Sequence, residues 1–434
     1  MRLGNETRSD SLAKTRMKGE VNKMNRITKI AMLIGFALTL SISGTAQRHP
    51  AESVNQPRWR FTSGDSALAI PLENDNNILF MRVSVNGSRP LRFIFDTGAS
   101  VSVINSELIT ELKLKVEGQA SGTATGGAIQ VGLVNGVSLK VAGAEVANQI
   151  VATMSLDKMP CVEFDGVIGY DFINQFIVEI DYPKSLINLY NPRTYVYSGQ
   201  GKIVPLLIAG RRIPLAVANI FLEGGRSVVG QLEIDTGGDS AFVIDSPFVK
   251  KHGLMRSLST SLKGTGVGAG GEQKRVVGRV KRVQLGPFTL DKPVVNLEED
   301  TEDSRDGKEG DGIVGGEVLR RFKVILDYAH QRMILEPNAG FKEPYEVGMS
   351  GIGFGSSEED CKVSKVQEVE PNSPASAAGL QVGDIITAID NRAINDIPSN
   401  DFEQLWKQNG KEIRLTIKRG TEILEKTIIL RRMI

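Results

Sequence analysis

Histidine and cysteine are scarce in this chain of 434 residues, which contains three histidines and two cysteines. His49, His252 and His330 share no motif spacing, so neither a zinc site nor a catalytic triad built on histidine is expected. Cys161 and Cys361 are interpreted as small buried side chains rather than as a disulfide. No metal or other cofactor is therefore expected, and the chemistry must come from carboxylates, hydroxyls or the backbone.

A charge excess is also missing, because 52 basic and 51 acidic side chains leave a formal net charge of +1. This balance gives no reason to expect nucleic acid or an anionic membrane surface as a partner. Glycine, in contrast, is frequent at 46 residues and concentrates in tight loops. That composition favours many short strands joined by turns over a helical bundle.

The most apolar run near the N-terminus, residues 30–40, is too short for a typical membrane span. It follows Arg26 and Lys29 and precedes small residues up to Ala46, which is the pattern of a signal peptide. Residues 1–46 are therefore predicted to direct export to the periplasm or the extracellular space. A membrane partner is expected only if this segment stays uncleaved as an anchor.

An internal repeat organises the middle of the chain. Five features recur in one order: 70–72 with 204–206, 96–98 with 235–237, 122–127 with 264–271, 165–169 with 311–315, and 180–182 with 326–328. The last two pairs share an offset of 146 residues. Together with alternating apolar residues, the repeat predicts a mainly β protein with two β-barrel-like lobes, lobe 1 at 62–197 and lobe 2 at 198–338. A short helix is expected in each lobe, at 170–175 and 317–321.

Asp96 and Asp235 are the strongest candidates for catalysis. Each ends an apolar strand, and the glycine two residues later permits a turn that bulkier residues cannot adopt. Two such loops face to face would hold the carboxylates so close that they share a proton, which suits general acid–base hydrolysis by a water molecule. The residues expected to support the two loops are Thr97, Gly98, Thr236 and Gly237. Plain turn chemistry is the alternative, although two copies with matching downstream motifs argue against coincidence.

The motif at 95–100, Phe-Asp-Thr-Gly-Ala-Ser, followed by Asp-Gly-Val-Ile-Gly at 165–169, resembles the retropepsin and pepsin aspartic peptidases. The second half repeats the pattern, so the resemblance covers about residues 62–338. It implies an aspartic-type endopeptidase of the two-lobe bacterial type, with Asp96 and Asp235 as catalytic pair. It also implies that an extended peptide substrate lies in the cleft between the lobes.

The sequence departs from this family pattern in three places. Gly238-Asp239 follows the second motif where pepsins usually have serine or threonine, and Tyr170-Asp171 and Gly316-Glu317 replace the Arg-Asn of retroviral enzymes. These departures leave open a second hypothesis, in which the lobes bind peptides without cleaving them. A non-proteolytic hydrolase on the same lobes is a third alternative.

Two glycine-rich stretches are interpreted as hairpin tips that cover the cleft. The second stretch formally matches a dinucleotide-binding fingerprint, but a strand-like alternation follows where that motif requires a helix. Mobile flaps that exclude water from a bound peptide fit better, and plain surface hairpins are the alternative. The flap candidates are Thr123, Ala124, Thr125, Thr265, Gly266 and Val267.

The acidic stretch at 298–311 is interpreted as a solvated loop. A cleft rim that favours basic substrates is the alternative, whereas calcium binding lacks the EF-hand spacing.

The last unit, residues 350–432, follows a linker at 339–349 and has a different pattern. A Gly-Ile-Gly-Phe loop, with Gly-Asp-Ile-Ile at 383–386, resembles a bacterial PDZ domain, which is an α+β fold. The resemblance implies that backbone N–H groups of the loop receive a C-terminal peptide carboxylate beside a helix at 402–407. The loop residues are Gly351, Ile352, Gly353 and Phe354. Such a unit would recruit substrate or regulate the lobes; a role in packing alone is the alternative.

Overall fold

The computed structural model describes residues 58–156, 163–208, 210, 212–299, 309–357 and 360–434, and the backbone of the strands Leu33–Ile34 and Leu38–Ser41. The remainder of the predicted signal segment lies outside the described residues. So do Cys161, the side chain of Cys361 and residues 300–308 of the acidic stretch. The described chain is mainly β, which confirms the predicted fold class. No helix in the described ranges is long and apolar enough to cross a membrane.

The first sheet belongs to lobe 1. Its strand Leu91–Phe95 is buried except at Arg92, runs parallel to Gly166–Ile168 and ends at Asp96. A 3-10 turn, Ser106–Leu108, and the helix Tyr170–Ile173 flank the sheet. The strands of lobe 1 in this sheet are Arg58–Phe61, Glu73–Asp75, Ile78–Val85, Leu91–Phe95, Val103–Asn105, Gly118–Ala124, Gly127–Val141, Ala144–Met154 and Gly166–Ile168.

The second sheet repeats this arrangement in lobe 2, where Ser227–Ile234 runs parallel to Gly312–Val314 and ends at Asp235. The strands are Leu207–Ile208, Pro214–Phe221, Ser227–Ile234, Phe242–Ile244, Ser261–Gly268, Gly271–Arg279, Arg282–Leu285, Phe288–Asp291, Val294–Glu298 and Gly312–Val314. The helical segments are Glu223–Gly225, Ser246–His252, Leu254–Ser257, Gly316–Leu319, Tyr328–His330 and Ala339–Lys342.

A third sheet joins the lobes, with three strands from each. Its order is Lys202–Pro205, Arg332–Pro337, Phe322–Asp327, Ile177–Asp181, Leu186–Tyr190 and Ser66–Pro71. At its centre residue 178 pairs with 326 and residue 180 pairs with 324. Residues 324 and 326 are the repeat equivalents of 178 and 180, at the offset of 146, so the repeat converts each pair into the other. A pseudo-two-fold axis therefore passes through the pair Glu179 and Ile325. The boundary between the lobes at residues 197 and 198 stays a prediction, because this sheet contains strands from before and after that point.

The short helix expected after each second glycine motif is present, as Tyr170–Ile173 and Gly316–Leu319. Both are shorter than predicted. Each makes a single turn and then leads into a strand of the shared sheet, Ile177–Asp181 or Phe322–Asp327, which ends the helix early.

The C-terminal unit forms a fourth sheet, with two helices beside it. Its edge strand Ile352–Ser357 lies opposite the helix Ser399–Leu405, and the rings of Phe354, Phe402 and Trp406 pack together at centroid distances of 5.1–5.7 Å. The elements are Ile352–Ser357, Asp360–Val369, Pro374–Ala377, Ile385–Ile389, Arg392–Ala393, Ile394–Asp396, Ser399–Leu405, Glu412–Arg419 and Glu422–Ile429.

The predicted linker at 339–349 is packed against lobe 2. The buried guanidinium of Arg321 donates hydrogen bonds to the carbonyl oxygens of Gly340, Glu343 and Pro344. The same guanidinium lies 3.7 Å from the centre of the Tyr345 ring. The C-terminal unit is therefore attached through an ordered segment.

Candidate active site

The carboxyl groups of Asp96 and Asp235 lie in equivalent environments. Oδ1 of Asp96 accepts the N–H of Gly98, and Oδ1 of Asp235 accepts the N–H of Gly237, at 2.7 Å in both cases. Both side chains have a relative exposure of 0%. One oxygen of each carboxyl group is thus fixed by its own loop, which orients the other.

The two loops are locked together by their threonines. Thr97 Oγ1 donates to the carbonyl oxygen of Ile234 at 2.5 Å, and Thr236 Oγ1 donates to that of Phe95 at 2.8 Å. Each hydroxyl also accepts the backbone N–H of the opposite threonine, at 3.1 and 3.0 Å. Four reciprocal hydrogen bonds between buried groups therefore hold the loops across the pseudo-two-fold axis.

Each glycine of the motif lies against the aspartate of the other lobe. A Cβ atom on Gly237 would lie 2.5 Å from Cγ of Asp96, and one on Gly98 would lie 3.0 Å from Cγ of Asp235. A methyl group at Gly237 would overlap the carboxyl carbon. The close approach of the two aspartates therefore explains why glycine occupies these positions.

The buried pair holds its protons more tightly than ordinary carboxyl groups. Burial and the charge of Asp235 raise the pKa of Asp96 well above its usual value. Burial also raises the pKa of Asp235, to about 6. Among the described residues, Oδ2 of neither aspartate has a hydrogen-bond partner. A proton shared between the two carboxyl groups supplies the missing donor.

These raised pKa values predict a pH-dependent stability. A raised pKa means that the folded state binds protons more tightly than the unfolded state. The stability that proton binding by Asp235 contributes is therefore complete below pH about 4 and is lost as pH rises through about 6. Asp235 alone contributes on the order of 3 kcal/mol to this change. We expect the difference in unfolding free energy between the native chain and Asp96→Asn/Asp235→Asn to shift in favour of the variant as pH rises. Denaturant unfolding followed by circular dichroism measures it.

The comparison has an internal control in Asp171, whose pKa burial also raises to about 6. Asp171 is present in both proteins, so its titration cancels in the difference. If the unfolding free energies of the native chain and the double variant changed in parallel with pH, Asp96 and Asp235 would have ordinary pKa values in the folded state.

Sequence reasoning missed a third carboxyl group beside the pair. Glu233 is 5% exposed, and its Oε1 would lie 2.6 Å from a Cβ atom on Gly98. Its charge further raises the pKa of Asp96. The sequence did contain a signal for Glu233. It lies two positions before Asp235, whereas the equivalent position before Asp96 holds Ile94. A glutamate at a position where the other half of the repeat has an isoleucine indicates a special environment.

Two tyrosines from the repeat also lie near the pair. The hydroxyls of Tyr182 and Tyr328 are buried, and no described residue is a hydrogen-bond partner for either. Burial, and then the negative charge of Asp235, raise the pKa of Tyr182, so its hydroxyl stays protonated. The repeated Asp-Tyr feature thus contributes to both sides of the site.

The unusual Asp239 connects the two lobes. Asn76 Nδ2 donates to Asp239 Oδ2, and Asn77 Nδ2 donates to the carbonyl oxygen of Asp239, both at 3.3 Å. Asn77 Nδ2 also lies 3.0 Å from Oε2 of Glu317. Both asparagines adopt positive φ, which asparagine tolerates. The departures at Asp239 and Glu317 therefore serve as acceptors for a turn of lobe 1.

Asp171 replaces the family's Asn in lobe 1. Its Oδ1 accepts hydrogen bonds from the backbone N–H of Ser102 at 2.8 Å and from the Ser102 hydroxyl at 2.7 Å. The N–H of Gly169 donates to the same hydroxyl at 3.1 Å. This departure thus ties the second glycine motif to the loop after Asp96.

The glycine-rich stretches form two long hairpins, flap 1 (Gly118–Ala124 and Gly127–Val141) and flap 2 (Ser261–Gly268 and Gly271–Arg279). In flap 1, Thr123 and Ala124 end the first strand and Thr125 begins the turn. In flap 2, the candidates Thr265, Gly266 and Val267 lie within the first strand, and the turn itself is at 269–270.

The two flaps touch each other at their tips. The N–H of Gly270 donates to the carbonyl oxygen of Thr125 at 2.9 Å. A Cβ atom on Gly126 would lie 2.2 Å from the carbonyl oxygen of Gly271, and one on Gly270 would lie 2.3 Å from the nitrogen of Gly127. Glycine is thus needed for the backbones to approach this closely. The sequence predicted the hairpins but not their contact.

Two short strands of the chain's own N-terminal segment pair with the outer edges of the flaps. Leu33–Ile34 runs parallel to residues 266–267 of flap 2, and Leu38–Ser41 runs antiparallel to residues 121–124 of flap 1. Flaps related by a two-fold axis point in opposite directions, so one extended peptide must be parallel to one and antiparallel to the other. Both flap edges therefore accept a peptide strand.

The loop of the C-terminal unit lines one cavity together with the first strand of flap 2 and Asp239. Gly351 has a φ of +75°, and the N–H of Ile352 donates to the Ser350 hydroxyl at 3.2 Å. Gly353 and Phe354 continue into the edge strand. The C-terminal unit also contacts lobe 1, because Asn400 Oδ1 accepts the N–H of Asn76 at 2.9 Å. Within the described part of the chain, no cluster of histidine, cysteine, aspartate and glutamate could hold a metal ion.

Comparison with known proteins agrees with this architecture. Residues 81–172 and 221–318 match the family model described as aspartyl protease, and residues 365–419 match the PDZ domain. A probable CtpA-like serine protease from Staphylococcus haemolyticus (strain JCSC1435) is 28% identical over 127 residues, which are 29% of this chain and 24% of that protein. The chain thus spans about a quarter of the length of the curated relative that it matches.

Proposed function

We propose that this chain, which contains two segments of the aspartyl protease family and a PDZ domain, is an endopeptidase that hydrolyses peptide bonds with Asp96, Asp235 and one water molecule. The observation that carries the proposal is the pair of buried carboxyl groups, each with one oxygen held by its loop and the other without a partner in the described chain. No cofactor enters this mechanism.

In the reaction, Asp96 holds the shared proton, because its pKa is raised by burial, by Asp235 and by Glu233. Ionised Asp235 takes a proton from the water as its oxygen attacks the peptide carbonyl carbon, while Asp96 protonates the carbonyl oxygen. The resulting tetrahedral diol collapses as the C–N bond breaks: protonated Asp235 gives its proton to the amine nitrogen, and ionised Asp96 takes a proton from one hydroxyl of the diol, which becomes the carbonyl of the acid. The products are a carboxylic acid and an amine, and the pair returns to its singly protonated state.

The pH dependence of cleavage tests this mechanism. Below pH about 6 Asp235 is protonated, so the pair lacks its general base. We expect kcat/KM for a susceptible peptide to rise as pH increases toward about 6 and to stay high near neutrality, until Asp96 loses its proton. A peptide library incubated over roughly pH 3–8, with product sequencing, identifies a substrate and measures the profile. Maximal cleavage at strongly acidic pH would contradict the assignment of roles.

A serine-type peptidase is the second candidate, because the matched relative is named a serine protease. The two described histidines have other contacts: His330 Nδ1 lies 2.8 Å from Asp327, and the ring of His252 packs on Phe248. A fluorophosphonate reagent distinguishes the candidates. The aspartic mechanism predicts that the fluorophosphonate leaves cleavage unchanged. It also predicts that a peptide with a tetrahedral secondary alcohol at the scissile position inhibits cleavage.

Loss of catalysis is the remaining alternative, in which the lobes and the C-terminal unit bind peptides without cleaving them. Fluorescence anisotropy with library peptides, followed by product analysis of the same samples, separates binding from turnover. Binding with all peptides intact at every pH would favour this alternative.

The proposed partners are a peptide or protein substrate and a C-terminal peptide at the PDZ domain, with no nucleic acid. The proposed location is the periplasm or the extracellular space, based on the signal-like residues 1–46. Cell fractionation together with N-terminal sequencing of the mature protein tests both the export and the cleavage near Ala46.

A further inference from the structure

A cavity of about 340 Å³ lies between flap 2 and the C-terminal unit. Its volume is within the range of ligand pockets. One wall consists of residues 262–265 from the first strand of flap 2, and the facing wall is formed by Ile352, Gly353 and Phe354. Asp239, four residues after Asp235, also lines it. The cavity therefore begins beside the catalytic loop of lobe 2.

The side chains that line this cavity include four with buried polar atoms that no described residue satisfies: Tyr345 Oη, Asn296 Oδ1, Glu403 Oε1 and Trp406 Nε1. Buried polar atoms normally have hydrogen-bond partners, so each such atom needs an explanation. The set contains an obligatory donor, Trp406, and an acceptor, Asn296 Oδ1. A polypeptide backbone supplies both an acceptor and a donor.

Two open strand edges also border this cavity. Ile352–Ser357 is an edge strand of the C-terminal sheet. The first strand of flap 2 pairs with the second on one side. On its other side, among the residues that the structure describes, only 266–267 are paired, with Leu33–Ile34. The backbone of residues 262–265 thus has no described strand partner on the side where a peptide strand already adds.

The direction of that added strand identifies the part of a substrate that reaches the cavity. Leu33 pairs with Gly266 and Ile34 with Val267 in parallel, and Leu38–Ser41, further along the chain, pairs with flap 1. A peptide that extends this strand by four residues toward its N-terminus, in the same register, reaches residues 262–265. Residues N-terminal to the scissile bond therefore lie toward lobe 2 and the C-terminal unit.

We infer that the cavity is a substrate subsite shared by flap 2 and the C-terminal unit, and that it binds an extended peptide segment several residues N-terminal to the scissile bond. The segment adds as a strand to residues 262–265, and the C-terminal unit forms the opposite wall. This inference rests on the proposed peptidase function and specifies its substrate: an extended chain with a long unfolded segment before the cleaved bond.

A substrate-length series with the full chain tests the subsite. The core peptide has four residues on each side of the scissile bond and is extended by four residues at either end. We expect the N-terminal extension to raise kcat/KM about tenfold, mainly through KM, and the C-terminal extension to change it by less than about twofold. Lys407→Trp, which places a bulky ring in the cavity, should abolish the N-terminal gain, measured as the ratio of kcat/KM between the extended and the core peptide on the same variant.

Lys418→Trp, at an exposed position of the same unit outside the cavity lining, is the matched control and should retain the gain. Equal gains from both extensions, or a gain that survives Lys407→Trp, would overturn the subsite while leaving the peptidase assignment intact. If no peptide is cleaved, anisotropy of the same fluorescent peptides on the full chain still decides. Tighter binding on N-terminal extension alone supports the subsite, and its absence refutes it.

Discussion

Replacing Asp96 or Asp235 with asparagine is expected to lower kcat/KM for peptide cleavage at least about a thousandfold in either case. Asparagine keeps the size and the hydrogen bond from Gly98 or Gly237, but it cannot exchange the shared proton. The two carboxyl groups act as one unit, so the double variant should lose little more than either single variant. Steady-state cleavage of a fluorogenic peptide measures all three.

The matched control is Asp401→Asn, which makes the same change at an exposed residue of the C-terminal unit. It should cleave at the native rate. A single variant at the catalytic pair that retains a tenth or more of native activity, with an intact circular dichroism spectrum, would show that one aspartate suffices and would contradict the paired mechanism.

Replacing Thr97 with valine is expected to reduce the free energy of unfolding by about 2–5 kcal/mol and to remove activity almost completely. Valine is nearly isosteric but lacks the hydroxyl. The buried carbonyl oxygen of Ile234 then loses its donor, and the N–H of Thr236 loses its acceptor. Each unsatisfied buried group is costly, and the loss also frees the loops that orient the carboxyl groups. Thr236→Val should behave alike.

Thr97→Ser is the matched variant, since it keeps the hydroxyl and removes only a methyl group. It should retain most of the stability and the activity. Thr97→Val removes two of the four hydrogen bonds and Thr236→Val removes the other two, so the double valine variant tests whether the two losses add or are coupled through the joined loops. A valine variant that loses less than about 1 kcal/mol would show that these bonds contribute no more than packing does.

The two lobes could be predicted because the chain repeats itself. A strand that leads into Asp-Thr-Gly, and a second glycine motif at matching distance, are local patterns with strict steric requirements. The structure places Thr97 and Thr236, which the motif predicted to support the loops, in reciprocal hydrogen bonds between the two loops. The expectation for the linker at 339–349 was incomplete, because its composition does not reveal that Arg321 binds its carbonyl groups.

The sequence by itself determined the mainly β class, the doubled Asp-Thr-Gly loops and the PDZ resemblance, because each depends on residues close together in the chain. Only the tertiary structure decided that the flap tips meet, that Glu233 lies beside Gly98, and that flap 2 faces Phe354 across a cavity. These contacts join residues far apart in sequence. They depend on how whole sheets are oriented about the pseudo-two-fold axis, and periodicity or motif spacing carries no information about that orientation.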